Sequence, residues 1–283
     1  VFPWLSLRDG GEAATLPPMT MPTLFVPHGG GPCFFMNPGQ EPDPMWRPMR
    51  DYLAGLVASL PERPRAILMV SGHWEEEDVT LHIGDGQPLL YDYHGFPPHT
   101  YDLQWPAPGA PEVAGRAAEL LGQAGFATGI ERTRGWDHGV FIPMMVTVPH
   151  ADIPLAQMSL RISLDPAEHV AIGRALAPLR DEGVLIVGSG MSFHNLRERG
   201  VRAGPPSAAW DAALVEAATD PDPARRAARI IGWEALPNAR YAHPRAEHLL
   251  PLMVALGAGG DDPARLDWRG EVLGWTVSAF RFG

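Results

Sequence analysis

The chain has 283 residues and a formal charge of −11, from 22 Lys and Arg against 33 Asp and Glu. Hydrophobic residues make up 45% and charged residues 19%, a balance that excludes a disordered chain and is ample for a sizeable buried core. With no basic run to displace counterions, the composition argues against nucleic acid or an anionic membrane as partner. The longest apolar runs, such as residues 249–258, fall far short of the ~20 residues of a membrane span. The single cysteine, Cys33, has no internal disulfide partner; with no leader pattern ahead of it, a reducing cytoplasm is the expected compartment.

Residues 1–20 read as an N-terminal extension, and 21–283 as one catalytic-sized domain without a shift in composition. The first strand is expected over 23–27, running into His28-Gly-Gly-Gly. A second covers 65–70 and leads into Ser71-Gly-His-Trp, and a third covers 79–83. Helical periodicity follows over 111–124, where Val113, Ala117, Leu120 and Leu121 share a face. At Gly135-Trp-Asp-His-Gly-Val a glycine-flanked loop meets an apolar helix, and another strand covers 155–160. Asp165-Pro166 is an N-cap followed by proline at the first helical position, opening a helix to about residue 180. A strand over 183–187 leads into Gly188-Ser-Gly, helices are expected over 208–218, 223–232 and 244–256, and a last strand over 275–280. Continuous apolar runs are the mark of strands buried on both faces. The expected fold is therefore α/β: a single-domain sandwich with a mostly parallel or mixed central sheet flanked by helices.

Ligands of open α/β sheets gather beyond the carboxyl ends of the strands, and His28, His73 and His194 all lie at such ends, beside glycines. His138 falls in the loop before an apolar helix, and His248 is expected inside the helix over 244–256. A lone histidine after a strand is more often a structural hydrogen-bonding group, but neutral imidazole is also the commonest metal ligand near pH 7. No His-Glu-x-x-His or Cys-x-x-Cys pair is present, so any metal site must be assembled from distant segments. Pattern alone leaves the metal and structural readings open.

Six motifs then occur in one order: His28-Gly-Gly-Gly-Pro, Ser71-Gly-His-Trp-Glu, Tyr91-Asp-Tyr-His-Gly-Phe-Pro, Arg134-Gly-Trp-Asp-His-Gly, Gly188-Ser-Gly-Met-Ser-Phe-His-Asn-Leu and Glu247-His-Leu-Leu-Pro-Leu. Together, from about residue 23 to the C-terminus, they resemble the 4,5-DOPA-dioxygenase-like branch of the class III extradiol ring-cleaving dioxygenases, the protocatechuate 4,5-dioxygenase beta-subunit superfamily. The resemblance implies a non-haem metal enzyme that opens a catechol-type ring with O2 to a semialdehyde. It implies that His28 and His73 bind the metal, with the third ligand from the Glu247-His248 segment. The wider superfamily places a carboxylate there and this branch a histidine, so His248 is chosen over Glu247. His194 is implied as the acid/base and as a possible fourth ligand, and His138 as the residue that contacts substrate or dioxygen. Fe2+ is the expected cofactor, with Zn2+ possible at the same site; zinc lacks the redox chemistry to pass electrons from catecholate to O2.

Smaller expectations concern the surroundings. Tyr91 and His94, with Phe96, are read as a wall or lid over the substrate, and Trp136 and Trp74 as pocket aromatics, with plain packing the competing reading for each. Asp137 either orients His138 or caps the helix that follows. Cys33 is read as a packing residue over a soft ligand, and His82, His99, His150 and His169 as packing or surface groups. Arg197, Arg240 and Arg245 lie near the motifs as possible anchors for an acidic substrate, with exposed surface the default. A zinc-dependent hydrolase, and a non-enzymatic Memo-like binding protein of the same fold, are the rival functions.

Overall fold

The computed structural model describes residues 20–40 and 42–283. The extension expected over 1–20 therefore lies outside the described residues, apart from Thr20. In chain order the strands are β1 (Thr23–Pro27), β2 (Ala66–Glu76), β3 (Val79–His82), β4 (Leu89–Leu90), β5 (Thr128–Glu131), β6 (Trp136–Asp137), β7 (Leu155–Arg161), β8 (Val184–Gly190), β9 (Ala264–Val272) and β10 (Trp275–Phe282). Eight of them form one sheet in the order β5-β3-β7-β2-β8-β1-β10-β9, and β4 pairs with β6 in a separate ribbon. The centre, β7-β2-β8-β1, is parallel; β10 and β9 extend it antiparallel on one side, and β3 lies antiparallel to β7 on the other. β1 and β8 are buried at every position, as their unbroken apolar runs require.

The helices are α1 (Arg47–Gly55), α2 (Pro111–Gln123), α3 (His138–Thr147), α4 (Pro166–Leu176), α5 (Pro178–Asp181), α6 (Gly204–Ala218), α7 (Pro223–Ile231), α8 (Ala239–Ala242) and α9 (Leu250–Gly259). They flank the sheet in the expected α/β sandwich. Among the described residues no helix is long and apolar enough to cross a membrane. The predicted N-cap is present: Asp165 accepts a hydrogen bond from the Glu168 N–H at 3.0 Å. The helix expected from 166 to about 180 is divided at Ala177, because Pro178 has no N–H to continue the ladder.

One further correction bears on the site. The helix expected over 244–256 begins only at Leu250, and His248 lies in the turn before it. A helix running through would need an N–H from Pro251 to the Glu247 carbonyl and would drive the pyrrolidine ring into that carbonyl. Pro251 is accommodated in the first turn instead, which leaves 243–249 as an irregular segment lying across the end of β8.

Two glycines make that crossing possible. A Cβ on Gly188 would come within 2.2 Å of the Pro251 carbonyl oxygen, and one on Gly190 within 2.1 Å of the His248 carbonyl oxygen. The close approach lets the Met191 N–H donate to the His248 carbonyl at 3.1 Å, tying the strand end to the histidine-bearing turn. Gly190→Ala is expected to lower the unfolding free energy by about 1–3 kcal/mol, the usual cost of overfilling a packed site. Urea unfolding tests this; a variant as stable as the parent would show that the turn at 248 yields freely.

Candidate metal centre and active-site cavity

Parallel pairing brings the histidines together. Register sets Pro27 beside Gly190 and Ser71 beside Ser189, so His28, His73 and the turn carrying His248 meet at one end of the central strands. β2 does not end where the sequence reading placed its end. It continues to Glu76, but its register with β7 breaks between Val70 and Glu75, and His73 lies in that bulge. Asp137 braces the bulge. It accepts hydrogen bonds from the Ser71 hydroxyl at 2.7 Å and from Gln157 and Arg134, and Arg134 also donates to the His73 carbonyl. Asp137 does occupy the N-cap position of α3, but its side chain makes no capping hydrogen bond there and none to His138.

The ring nitrogens converge. His73 Nε2 lies 3.3 Å from His28 Nε2 and 3.2 Å from His248 Nε2. The opposite nitrogens show which tautomer each ring holds. His28 Nδ1 faces the Ser189 hydroxyl at 3.1 Å; that hydroxyl already donates to the Gly139 carbonyl, so it accepts from His28. His248 Nδ1 donates to Glu247 Oε1 at 2.9 Å, and His73 Nδ1 faces Asp92 Oδ2 at 3.5 Å. With a proton on each Nδ1, the three Nε2 atoms would present lone pairs, a donor set that fits a divalent ion taking neutral imidazoles. Burial, followed by the neighbouring imidazoles, lowers His28 and His248 well below the ordinary histidine value. Burial likewise brings His73 down to about 4, so the rings stay neutral near pH 7.

Two more imidazoles border the cluster. His138 donates from Nδ1 to Asp92 Oδ1 at 2.7 Å, and its backbone N–H reaches the same oxygen at 2.9 Å. The His194 ring stacks on His248 at 3.4 Å between centroids, with Nδ1 3.6 Å from Glu247 Oε1. Proximity alone also groups His138 with His28 and His73, and His194 and Glu247 with His248, each trio within 4.8 Å. Close Nε2 contacts link His73 both to His28 and to His248, and Glu247 stands behind the His248 ring, at its Nδ1. Burial alone would raise the Asp92 and Glu247 carboxyls, but the hydrogen bonds from His138 to Asp92 and the nearness of the His194 imidazole to Glu247 outweigh it and hold both below the usual range.

The cluster forms one end of a cavity of about 580 Å³, a size suited to a small ring compound. The family model for the catalytic LigB subunit of aromatic ring-opening dioxygenase matches residues 22–277. The chain belongs to this family. It is 39% identical over 230 residues to the 4,5-DOPA dioxygenase extradiol of Beta vulgaris, covering 77% of this chain and 84% of that one. It is 35% identical over 285 residues to the dioxygenase tasH of Hapsidospora irregularis, covering 93% and 85%. The crystal structure of an uncharacterized Escherichia coli K12 protein superposes with a TM-score of 0.75 at 30% identity, covering 93% of this chain and all of that one. The chain is accordingly a non-haem, metal-dependent extradiol dioxygenase acting on a small aromatic molecule and O2.

Around the dioxygenase centre the smaller expectations divide. His94 and Phe96 line the cavity; Tyr91 does not, and its hydroxyl is bound to the Leu103 carbonyl at 2.7 Å. Trp136 is fully buried against the His82 ring, outside the cavity wall, and Trp74 is buried beneath the Arg134 guanidinium. Both are large planar side chains drawn into the core by their own apolar area. Cys33 touches the cavity near His28, but burial pushes its thiol up to about 12 and keeps it protonated. Sequence reasoning passed over Asp92, although it stands inside the Tyr91-to-Pro97 motif, because the aromatics around it drew the attention. It also passed over His243, fully buried with Nε2 2.9 Å from the Ser192 carbonyl and lowered to about 4 by burial.

These depressed values set a pH dependence. A histidine titrating near 6.5 when unfolded and near 4 when folded binds more protons in the unfolded state across that window, so stability falls as pH drops through it. Between pH 7 and pH 5 the metal-free protein is expected to lose roughly 2 kcal/mol for each such imidazole. Urea unfolding at the two pH values measures it, and equal stabilities would contradict neutral, buried rings.

Proposed function

We propose that this dioxygenase cleaves a catechol-type diol to a ring-opened semialdehyde, with Fe2+ held by His28, His73 and His248. The observation that carries the reading is that His73 Nε2 lies 3.2–3.3 Å from both His248 Nε2 and His28 Nε2, in the wall of a ring-sized cavity. Bound there, Fe2+ supplies an electron path between catecholate and O2, which Zn2+ in the same ligands cannot. A cytoplasmic setting belongs to the proposal, in keeping with the free, buried thiol of Cys33.

The protein's own groups supply proton transfer and orientation. His194 lines the cavity with Nδ1 toward Glu247, which leaves Nε2 to take a proton from the diol while the carboxylate stabilises the imidazolium. Asp92 fixes the tautomer of His138 through Nδ1, so that His138 Nε2 is the atom that meets substrate or dioxygen and holds or returns a proton during ring opening. Tyr93, His94 and Phe96 wall the cavity beside His138 and limit water there. Glu247 and Asp92 thus act through imidazoles; the imidazoles touch the reacting molecule.

His28→Ala is expected to abolish metal retention, read by elemental analysis after anaerobic Fe2+ loading. His194→Ala should retain metal and lose roughly 10²–10⁴-fold in turnover. The direct test of the function is the Fe2+-loaded protein with a panel of catechols, followed by O2 uptake and by the absorbance of the yellow semialdehyde. Full iron occupancy with no O2 uptake on any catechol would overturn the assignment.

A further inference from the structure

We propose that Leu273 is a specificity-determining residue: held in a left-handed turn that disfavours it, its side chain meets the first atoms of the ring's substituent and selects an apolar group there over a polar one of the same size. The inference rests on the ring-opening reading above and adds the residue that reads the substituent.

β9 and β10 are joined by a two-residue turn, since Val272 pairs with Trp275. Both turn residues have positive φ, +55° at Leu273 and +84° at Gly274. That pattern belongs to the tight hairpin turn whose first position favours asparagine or glycine, because a larger L side chain crowds the following carbonyl. The backbone gives no reason for a leucine. Its N–H donates to Met45 Sδ at 3.3 Å and its carbonyl accepts from the Gly200 N–H at 2.8 Å, bonds open to any residue but proline. Of the four described non-glycine residues with positive φ, Leu273 is the one that lines the cavity over the histidines. Backbone strain of this kind persists where the side chain it delivers has a use.

Strand register shows where that side chain stands. β10 runs antiparallel to β1 with Phe25 beside Phe280, and continuing the register sets Pro27 level with Ser278. The turn begins beyond Trp275, three residues and roughly 10 Å of strand past the level from which His28 departs. A catechol with its oxygens at the three imidazoles extends its ring, and then its substituent, over such a distance. Leu273 stands at this level with Met45, Trp46 and Trp275 in the same wall. It is half-buried, so part of its surface is open to the molecule that fills the cavity. An isobutyl group offers no hydrogen bond; a hydroxyl placed against it gives up water without replacement, whereas an alkyl group leaves water at a gain.

The test compares Leu273→Asn, Leu273→Ala and the control Glu271→Gln with the parent, all Fe2+-loaded. Under nitrogen, calorimetry measures Kd for 4-ethylcatechol and 4-(hydroxymethyl)catechol, which are neutral and nearly equal in size. In air, kcat/KM is measured for the same pair, and thermal unfolding gives the midpoint of each protein. Leu273→Asn is expected to lower the ethyl-to-hydroxymethyl preference about tenfold in Kd and in kcat/KM, the scale of one apolar contact in a pocket. It should also raise the unfolding midpoint by roughly 2–4 °C, since asparagine suits the turn. Leu273→Ala should lose the preference without that rise. Glu271, exposed on the same hairpin and outside the cavity wall, should tolerate glutamine with parental values. An unchanged preference in Leu273→Asn, a midpoint no higher than the parent's, or an equal loss of preference in Glu271→Gln would overturn the assignment. Should the parent bind the pair but consume no O2 with either, the ring-opening reading fails, and the Kd ratio still decides the role of Leu273; binding of neither would overturn both.

Discussion

Three imidazole Nε2 atoms brought this close along His28–His73–His248 repel one another when unprotonated, and the site depends on holding them there. Each ring must be neutral and in a single tautomer, and what stands behind it makes it so: Ser189 for His28, Asp92 for His73, Glu247 for His248. Burial makes neutrality the cheaper state, because a charged imidazole would give up its hydration without gaining an equal partner. Remove an acceptor behind a ring and its proton is free to move to Nε2, where it would replace the lone pair. The polar groups one layer back therefore determine the site as much as the histidines do.

The scaffold delivers the rings by means particular to each. His28 follows a fully buried parallel strand and inherits its rigidity. His73 is turned by a bulge in β2 that the Asp137 network braces from below. His248 comes from an irregular turn, the least secure source of a ligand, and here the glycines of β8 compensate by admitting the backbone of 248–251 to direct contact. The downstream helix α9 is buried at every position, so the turn is anchored on its far side as well.

Much of this was legible in the chain. The central strands announce themselves as unbroken apolar runs, and the motif order carries the five histidines of the cluster. What escaped were features decided by tertiary contact. The late start of α9 turns on a steric clash at Pro251 that helical periodicity does not register. β9 alternates half-exposed and polar positions at a sheet edge, and so lacks the apolar run by which the other strands were found. Trp136 and Tyr91 were assigned to the cavity by chemical type, yet which side of a loop faces a cavity depends on pairing: β6 joins β4 in a ribbon and carries the indole into the core. Asp92 lay within a motif, but a lone charge in a loop has no sequence mark separating it from a solvated one.

The two carboxylates give the site a charge balance that links its structure to its chemistry. Asp92 lies against both His73 and His138, and Glu247 against both His248 and His194, so each acid joins an imidazole of the converging trio to one that borders the cavity. With both acids ionised and the three converging rings neutral, a divalent ion brings this core to zero net charge. A diol that sheds protons as it binds would upset that balance unless the protons stayed nearby. His138 and His194 are the neighbours able to keep them, each already backed by the carboxylate that would stabilise its cationic form. Metal, acids and cavity imidazoles would thus form one electrostatic unit.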